Sequence, residues 1–299
     1  MKDLEPKYEL MPCDESDTDY MYQKLGEYDD SVVPPRVDAP DERIVLKITD
    51  GEGNLIAGCT AGLCTWDVAD LGLLWVDERY RRPRLASALL REAERISREK
   101  GCYLMVLETA DFQARPFYEK HGYTLCGTVE DFPKGHNWNY LMKRLDQPSA
   151  EYISSRQEME ITVRIEHGND EDADFIRGKL AEYNANFATY GDDYDWSKKL
   201  TDENGELIAV CSGDVRWWGS GAYFSVCGIW VEEAFRGKGI GSYLLREFEL
   251  EAKEKGAFMA MAQVFDWQFD FLKKNGYKVC ALTPDFPKGH SRYMMQKTL

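Results

Sequence analysis

A chain of 299 residues with 43% hydrophobic and 13% aromatic side chains can bury one large or two ordinary cores, and its net charge of −16 leaves no basic surplus to displace counterions from a nucleic-acid backbone. There is no apolar run of about 18 residues, and the opening MKDLEPKYEL lacks a signal-peptide core, so a soluble, cytoplasmic protein is expected, with neither membrane nor nucleic acid as partner. Eight cysteines without a CxxC pair, and four histidines without HxH or HExxH spacing, point to reduced thiols and to no metal.

In chain order a short strand (Tyr8–Met11) is expected first, then a helix around KLGEYDD (Lys24–Asp30). A hairpin follows, its turn carrying Asp50-Gly51 inside DGEGNLIAG, a dipeptide suited to the positive φ of a tight turn. A third strand near Thr60–Trp66 and a fourth over Gly72–Val76 lead into VDERYRRPRLASALLREAE (Val76–Glu94). There Leu85, Leu89 and Ala93 recur at fourfold spacing, Ile96 extends the apolar face, and Lys100-Gly101 marks the end of a helix. A fifth strand, a shorter helix and two last strands around DFPKGH (Asp131–His136) complete the set.

The set then repeats. A strand is expected over Ile161–Ile165, KLAEYNA (Lys179–Ala185) answers KLGEYDD, and DENGELIAV (Asp202–Val210) answers DGEGNLIAG. KKNGYKVCA (Lys273–Ala281) answers EKHGYTLCG (Glu119–Gly127), and DFPKGH returns at Asp285–His290. Matches in one order over most of each half mean duplication. Two domains are expected, 1–147 and 159–299, joined by a polar, proline-bearing linker at 148–158 within LDQPSAEYISSRQE.

The two copies share a helix and differ in the loop before it: RGKGIG (Arg236–Gly241) in one, RRPRLA (Arg81–Ala86) in the other. Glycines let backbone N–H groups converge on an anion, and a helix N-terminus adds partial positive charge. The strand Ile229-Trp230-Val231, the turn Arg236-Gly237-Lys238-Gly239-Ile240-Gly241 with Ser242 after it, and the amphipathic helix that follows resemble the pyrophosphate loop of the GNAT superfamily of acyl-CoA-dependent N-acetyltransferases, where the pattern is Arg/Gln-x-x-Gly-x-Gly/Ala. The closing segments DFPKGHNWNYLMKRL and DFPKGHSRYMMQKTL resemble the last hairpin of its bacterial small-molecule branch. The resemblance implies a mixed α/β fold of two tandem GNAT-like domains, each a splayed mixed sheet flanked by helices. It implies an acyltransferase that moves acetyl from acetyl-CoA to an amine of a small molecule.

The first copy departs from that pattern. Pro83 has no N–H to donate and Arg84 stands where the pattern has glycine. A lost hydrogen bond to a charged group costs about 1.5–3 kcal/mol, or roughly tenfold to more than a hundredfold in affinity, so this copy is expected to be degenerate. The alternative is that Arg81, Arg82 and Arg84 grip phosphates with their side chains.

The resemblance also implies a tyrosine beside the leaving thiolate. The first copy has it, as Phe117-Tyr118; the second has Phe271-Leu272. Tyr293, Tyr277 and Tyr223 are the phenols considered as replacements, with water or positioning by strand backbone as the other routes. Glu182, Glu232, Glu233 and Asp214 are the candidate acceptors of the amine's proton, although Glu27 repeats Glu182 in the degenerate copy. Cys227 reads as a buried strand thiol. Trp217, Trp218 and Tyr223, where the copies diverge most, are candidate substrate contacts. A non-catalytic acyl-CoA sensor, supported by Leu272, and a protein N-acetyltransferase are the other readings. A monomer or a homodimer is expected.

Overall fold

The structure, a computed structural model, describes residues 9–36, 42–64, 66–81, 84–147 and 164–299; the linker expected at 148–158 lies outside them. In chain order the elements are β1 (Glu9–Pro12), α1 (Glu15–Val32), β2 (Glu42–Thr49), β3 (Leu55–Cys64), β4 (Val68–Val76), α2 (Leu85–Glu99), β5 (Leu104–Ala110), α3 (Arg115–Lys120), β6 (Thr124–Val129) and β7 (Trp138–Arg144). The second copy supplies β8 (Glu166–His167), α4 (Asp170–Asn184), β9 (Tyr194–Thr201), β10 (Leu207–Trp218), β11 (Gly221–Val231), α5 (Ile240–Glu254), β12 (Ala257–Phe265), α6 (Asp266–Lys274), β13 (Lys278–Pro284) and β14 (Ser291–Thr298). The third strand of each copy is the unbroken return arm of its hairpin. In the second copy a strand falls at Glu166–His167, where it meets Leu46 and Lys47; of the span expected at 161–165 only residues 164 and 165 are among those described, and neither is in a strand.

Two compact units result, and they do not follow the contiguous spans 1–147 and 159–299. One unites Met1–Pro34 with Ala188–Cys280 and Arg292–Leu299; the other unites Pro35–Phe187 with Ala281–Ser291. Each copy's opening strand and helix thus belong with the body of the other copy. In the first unit β1 pairs antiparallel with β9, from Glu9↔Thr201 to Pro12↔Lys198, and α1 lies on β10 and β11. In the second, β8 pairs with β2 and α4 lies on β3 and β4.

The two helices dock by the same contacts. Each opens with a capping box, Asp14 with Asp17 and Asn169 with Asp172, which satisfies backbone donors that a helix start leaves bare. The carboxylate of each box also takes a lysine from the sheet: Lys199 Nζ lies 2.6 Å from Asp17 Oδ2, and Lys47 Nζ 2.8 Å from Asp172 Oδ2. Beneath α1, Met21 is fully buried; beneath α4, Ile176 is fully buried.

In the first unit the sheet order is β1-β9-β10-β11-β12-β14, antiparallel except where β11 meets β12. That parallel pairing runs only from Ala222↔Ala257 to Ser225↔Met261, whereas β11 continues to Val231 and β12 to Phe265. The two strands part beyond Ser225 and leave a cleft between their C-terminal arms. In the second unit β4 and β5 part in the same way beyond Leu71↔Leu107. The face opposite the exchanged helix is covered by α5 or α2. Ile240, Leu244, Leu245, Phe248 and Ala252 bury α5, and Leu85, Leu89, Leu90, Ala93 and Ile96 bury α2, as their spacing demands. Trp196 stacks on Phe224 and Phe248, with ring centroids 5.5 and 5.4 Å away, and anchors the first unit's core.

The DFPKGH segments are matched turns. Asp131 and Asp285 each sit at φ 58°, and each accepts the amide of Gly135 or Gly289 at 2.6 Å. Their histidines close the turns through backbone bonds, Phe132 N to His136 O and Phe286 N to His290 O.

The exchange predicts that a substitution in the first copy weakens the body of the second. Met21→Ala should cost about 2–5 kcal/mol, as for a buried methionine truncated in a packed core. Native-state hydrogen exchange should then quicken at β10 and β11 and leave β3 and β4 unchanged; faster exchange at β3 and β4 alone would contradict the exchange.

Candidate active site

The cleft of the first unit ends in the glycine-rich turn. Ile229 and Val231, on the last residues of β11, pack on the core, while Trp230 faces the other way and donates Nε1–H to Glu232 Oε1 at 3.0 Å. The Arg236 guanidinium lies 4.4 Å from the centroid of the Trp230 ring and donates Nε–H to the Val231 carbonyl at 2.9 Å. Lys238 Nζ donates to the Ala234 carbonyl at 2.8 Å. These contacts pin both ends of a turn whose middle is bare backbone.

Gly237 and Gly239 take φ values of 73° and 84°, and a Cβ at either would meet no atom within 4 Å. Gly239 caps α5 without any side-chain bond, so the first amides of the helix, at Ile240, Gly241 and Ser242, lack an internal acceptor. At Gly241 a Cβ would stand 3.1 Å from Phe271 Cε2, so a side chain there would press on α6. An open, left-handed turn at an uncapped helix start, beside a split sheet, fits a pyrophosphate with a slender arm reaching between the strands.

The residues expected to do chemistry separate in space. Tyr293 lies on β14 opposite Val264, on the parted arm of β12, with its ring 4.6 Å from that of Phe269. Tyr277 does not reach the cleft: it is 3% exposed within the core, and burial and Glu249 hold its phenol far above the usual range. Its counterpart Tyr123 is buried likewise beside Glu94. Glu182 is exposed on α4 and paired with Lys179 at 2.8 Å, so the exchange places it in the unit without the glycine turn. Asp214 is spoken for, accepting Arg216 Nε at 2.7 Å and the Cys227 thiol at 3.0 Å. Cys227 is itself an exposed residue, against expectation, but its thiol turns onto Asp214, and burial together with that carboxylate pushes it up to about 12.

The substrate candidates lie at the end of the sheet away from the glycine turn. Trp218 pairs with Gly221 at the β10–β11 hairpin, about 30 Å along the strand from Val231 at about 3.3 Å per residue. It donates to the Ala188 carbonyl at 3.2 Å and stacks on Tyr190. Trp217 packs over Gly256. Tyr223 pairs with Met259 in the closed part of the sheet, where burial raises its phenol. Leu272 is buried, and Tyr118, at the matching place in the other unit, is buried in the core, which raises its phenol.

The sequence model of the Acetyltransferase (GNAT) family matches residues 5–123 and 163–277, most of both copies. The chain belongs to the GNAT acetyltransferase family. Among similar proteins, the blasticidin-S acetyltransferase of Streptomyces morookaense is 36% identical over 112 residues, which is 37% of this chain and 82% of that protein. Acetyltransferase Atu2258 of Agrobacterium fabrum is 29% identical over 107 residues, 36% of this chain and 76% of that one. A crystal structure of an acetyltransferase from Bacillus cereus shares 37% identity and covers 44% of this chain and 94% of its own, with a TM-score of 0.41. The chain is therefore an acyltransferase built from two tandem GNAT regions, in a family that uses acetyl-CoA.

The second GNAT unit keeps the helix and changes the turn. Arg84 caps α2 at φ 60°, the left-handed value that Gly239 takes without strain at the matching place. Arg81 pairs with Glu78 at 3.1 Å and lies over the Tyr183 ring at 5.6 Å. The parted end of this unit's sheet carries a cluster of rings: Phe112 stacks on Phe187 at 4.5 Å, and Tyr183 OH donates to the Phe112 carbonyl at 3.0 Å. Arg84→Gly should relieve the left-handed strain and stabilise the chain by about 0.5–1 kcal/mol in urea unfolding, after the entropy cost of the new glycine. A lower midpoint would show that the arginine side chain holds the turn.

Proposed function

We propose that this enzyme transfers the acetyl group of acetyl-CoA to an amine of a small molecule, with the co-substrate held by Arg236–Ser242 and the cleft between β11 and β12. The open left-handed turn at Gly237 and Gly239 carries the reading, since it presents backbone donors at an uncapped helix start. The small-molecule class is supported by the likeness to a blasticidin-S acetyltransferase. In this reading acetyl-CoA supplies an activated thioester. The amides at the start of α5 bind its pyrophosphate, and the parted strands admit its arm and exclude water. Tyr293 is the residue proposed to return a proton to the departing thiolate, because it lies on the cleft's β12 side and its counterpart in the other copy is Asn139.

Release of free thiol from acetyl-CoA, measured with a panel of blasticidin S, glucosamine 6-phosphate, spermidine and tyramine, tests the function. At least one amine should be acetylated, and Tyr293→Phe should lower kcat by about a hundredfold or more with acetyl-CoA affinity unchanged. Full kcat in Tyr293→Phe would pass the proton to another donor. Acetyl-CoA binding with no turnover on any amine would favour a sensor.

A further inference from the structure

We infer that Asp29, a residue of the first copy, accepts the amine's proton in the unit that carries the glycine turn; the inference rests on the transferase reading above. The exchanged helix α1 ends over the split sheet. At its last turn Asp29 Oδ1 accepts the Trp267 indole N–H at 2.8 Å and the Gln268 amide at 3.3 Å. Both donors stand in the first turn of α6, directly after the parted arm of β12. The carboxylate thus spans from the β11 side of the cleft to the tip of its β12 side. Oδ1 takes both bonds, and among the described residues none donates to Oδ2.

The other unit supplies the contrast. There the matching clasp joins Gln113 Nε2 to Asn184 Oδ1 at 2.9 Å. In sequence, KLGEYDD has Asp29 where KLAEYNA has Asn184, and Asp266-Trp267-Gln268 matches Asp111-Phe112-Gln113. The clasp needs only an oxygen acceptor, which Asn184 provides. The unit with the intact turn has instead a carboxylate and an added indole donor to hold it, and those two differences are useful for proton transfer and superfluous for a clasp.

Burial raises the Asp29 carboxyl above its ordinary value, the Trp267 bond opposes that, and Asp30 on the same helix adds to it. From α6 the groups that face it, Trp267 and Gln268, are uncharged. In the step assigned to it, the neutral amine attacks the thioester carbon. As the N–C bond forms, the nitrogen's proton passes to Asp29 Oδ2. The C–S bond then breaks, the thiolate leaves with its electron pair and is protonated by Tyr293 or water, and Asp29 returns its proton to solvent.

Asp29→Asn separates the two roles, because it copies the clasp of the other unit and deletes only the base. A carboxyl whose folded pKa is raised stabilises the fold below its unfolded pKa and loses that contribution as pH rises through the folded value. At pH 7 the substitution is therefore not expected to lower the melting midpoint. With whichever amine of the panel turns over, kcat should fall about a hundredfold or more while the acetyl-CoA Kd stays within about twofold. The wild type's log kcat/KM should rise with slope two below the Asp29 pKa and slope one above it, since the amine must also lose a proton; the variant should show slope one throughout. Unchanged kcat/KM with the same break in slope overturns the assignment, as does a loss of activity matched by a lower melting midpoint or weaker acetyl-CoA binding. A wild type that binds acetyl-CoA and acetylates none of the amines removes the transferase reading, and this assignment with it.

Discussion

How closely α1 can lie on β11 decides what the loop-bearing unit can be. A Cβ at Gly228 would stand 2.9 Å from Met21 Cε and 3.0 Å from Leu25 Cδ1, so the helix rests on bare backbone at that point. With Met21 seated there, one end of α1 is fixed by Lys199 at Asp17 and the other by Trp267 and Gln268 at Asp29. Between them Tyr20 OH donates to Glu232 Oε1 at 2.9 Å, just past the end of β11. One packed helix therefore links the β10–β11 sheet, the residues next to the glycine turn and the start of α6. Its sequence belongs to the first copy, so the unit that holds the turn is complete only with residues from both.

A duplicated segment can keep its helix and lose its turn because the two do different physical work. The helix buries four large apolar side chains in each unit, and each such burial is worth about 1.5–3 kcal/mol. A Cβ at Gly237 or Gly239 would meet no atom within 4 Å, so close packing does not demand glycine at either place; in the proposed function, the bound co-substrate does. At the matching position in the other unit Arg84 still adopts the left-handed angle, which shows that the path of the chain is set by the strand and helix on either side rather than by the glycines.

The duplication, the hairpin turns, the lengths of the helices after the loop and the turn itself were legible in the sequence, since each rests on local spacing or on residues with special backbone freedom. The exchange of the opening helices was not. KLGEYDD and KLAEYNA are so alike that neither shows a preference for its own copy's sheet; the pairing of Asp17 with Lys199 and of Asp172 with Lys47 exists only in three dimensions. Glu182 falls in the unit without the glycine turn for that reason. Tyr277 was missed as a core residue because its neighbours, Glu249 and Lys297, come from elements distant in sequence. Trp217 and Trp218 stood out by composition, but the register of β10 on β11 sends them to the closed end of the sheet. Asp29 did leave a trace: it is an acid where the aligned copy has an amide.

The decisive measurement is a calorimetric titration of the whole chain with acetyl-CoA, repeated on Gly239→Arg. One site per chain is expected, abolished by the substitution, because a side chain would then occupy the open turn and an arginine would take a left-handed angle there. Two sites in the wild type, or one that survives Gly239→Arg, would mean that the arginine turn binds the co-substrate, and would contradict a single site built from both copies.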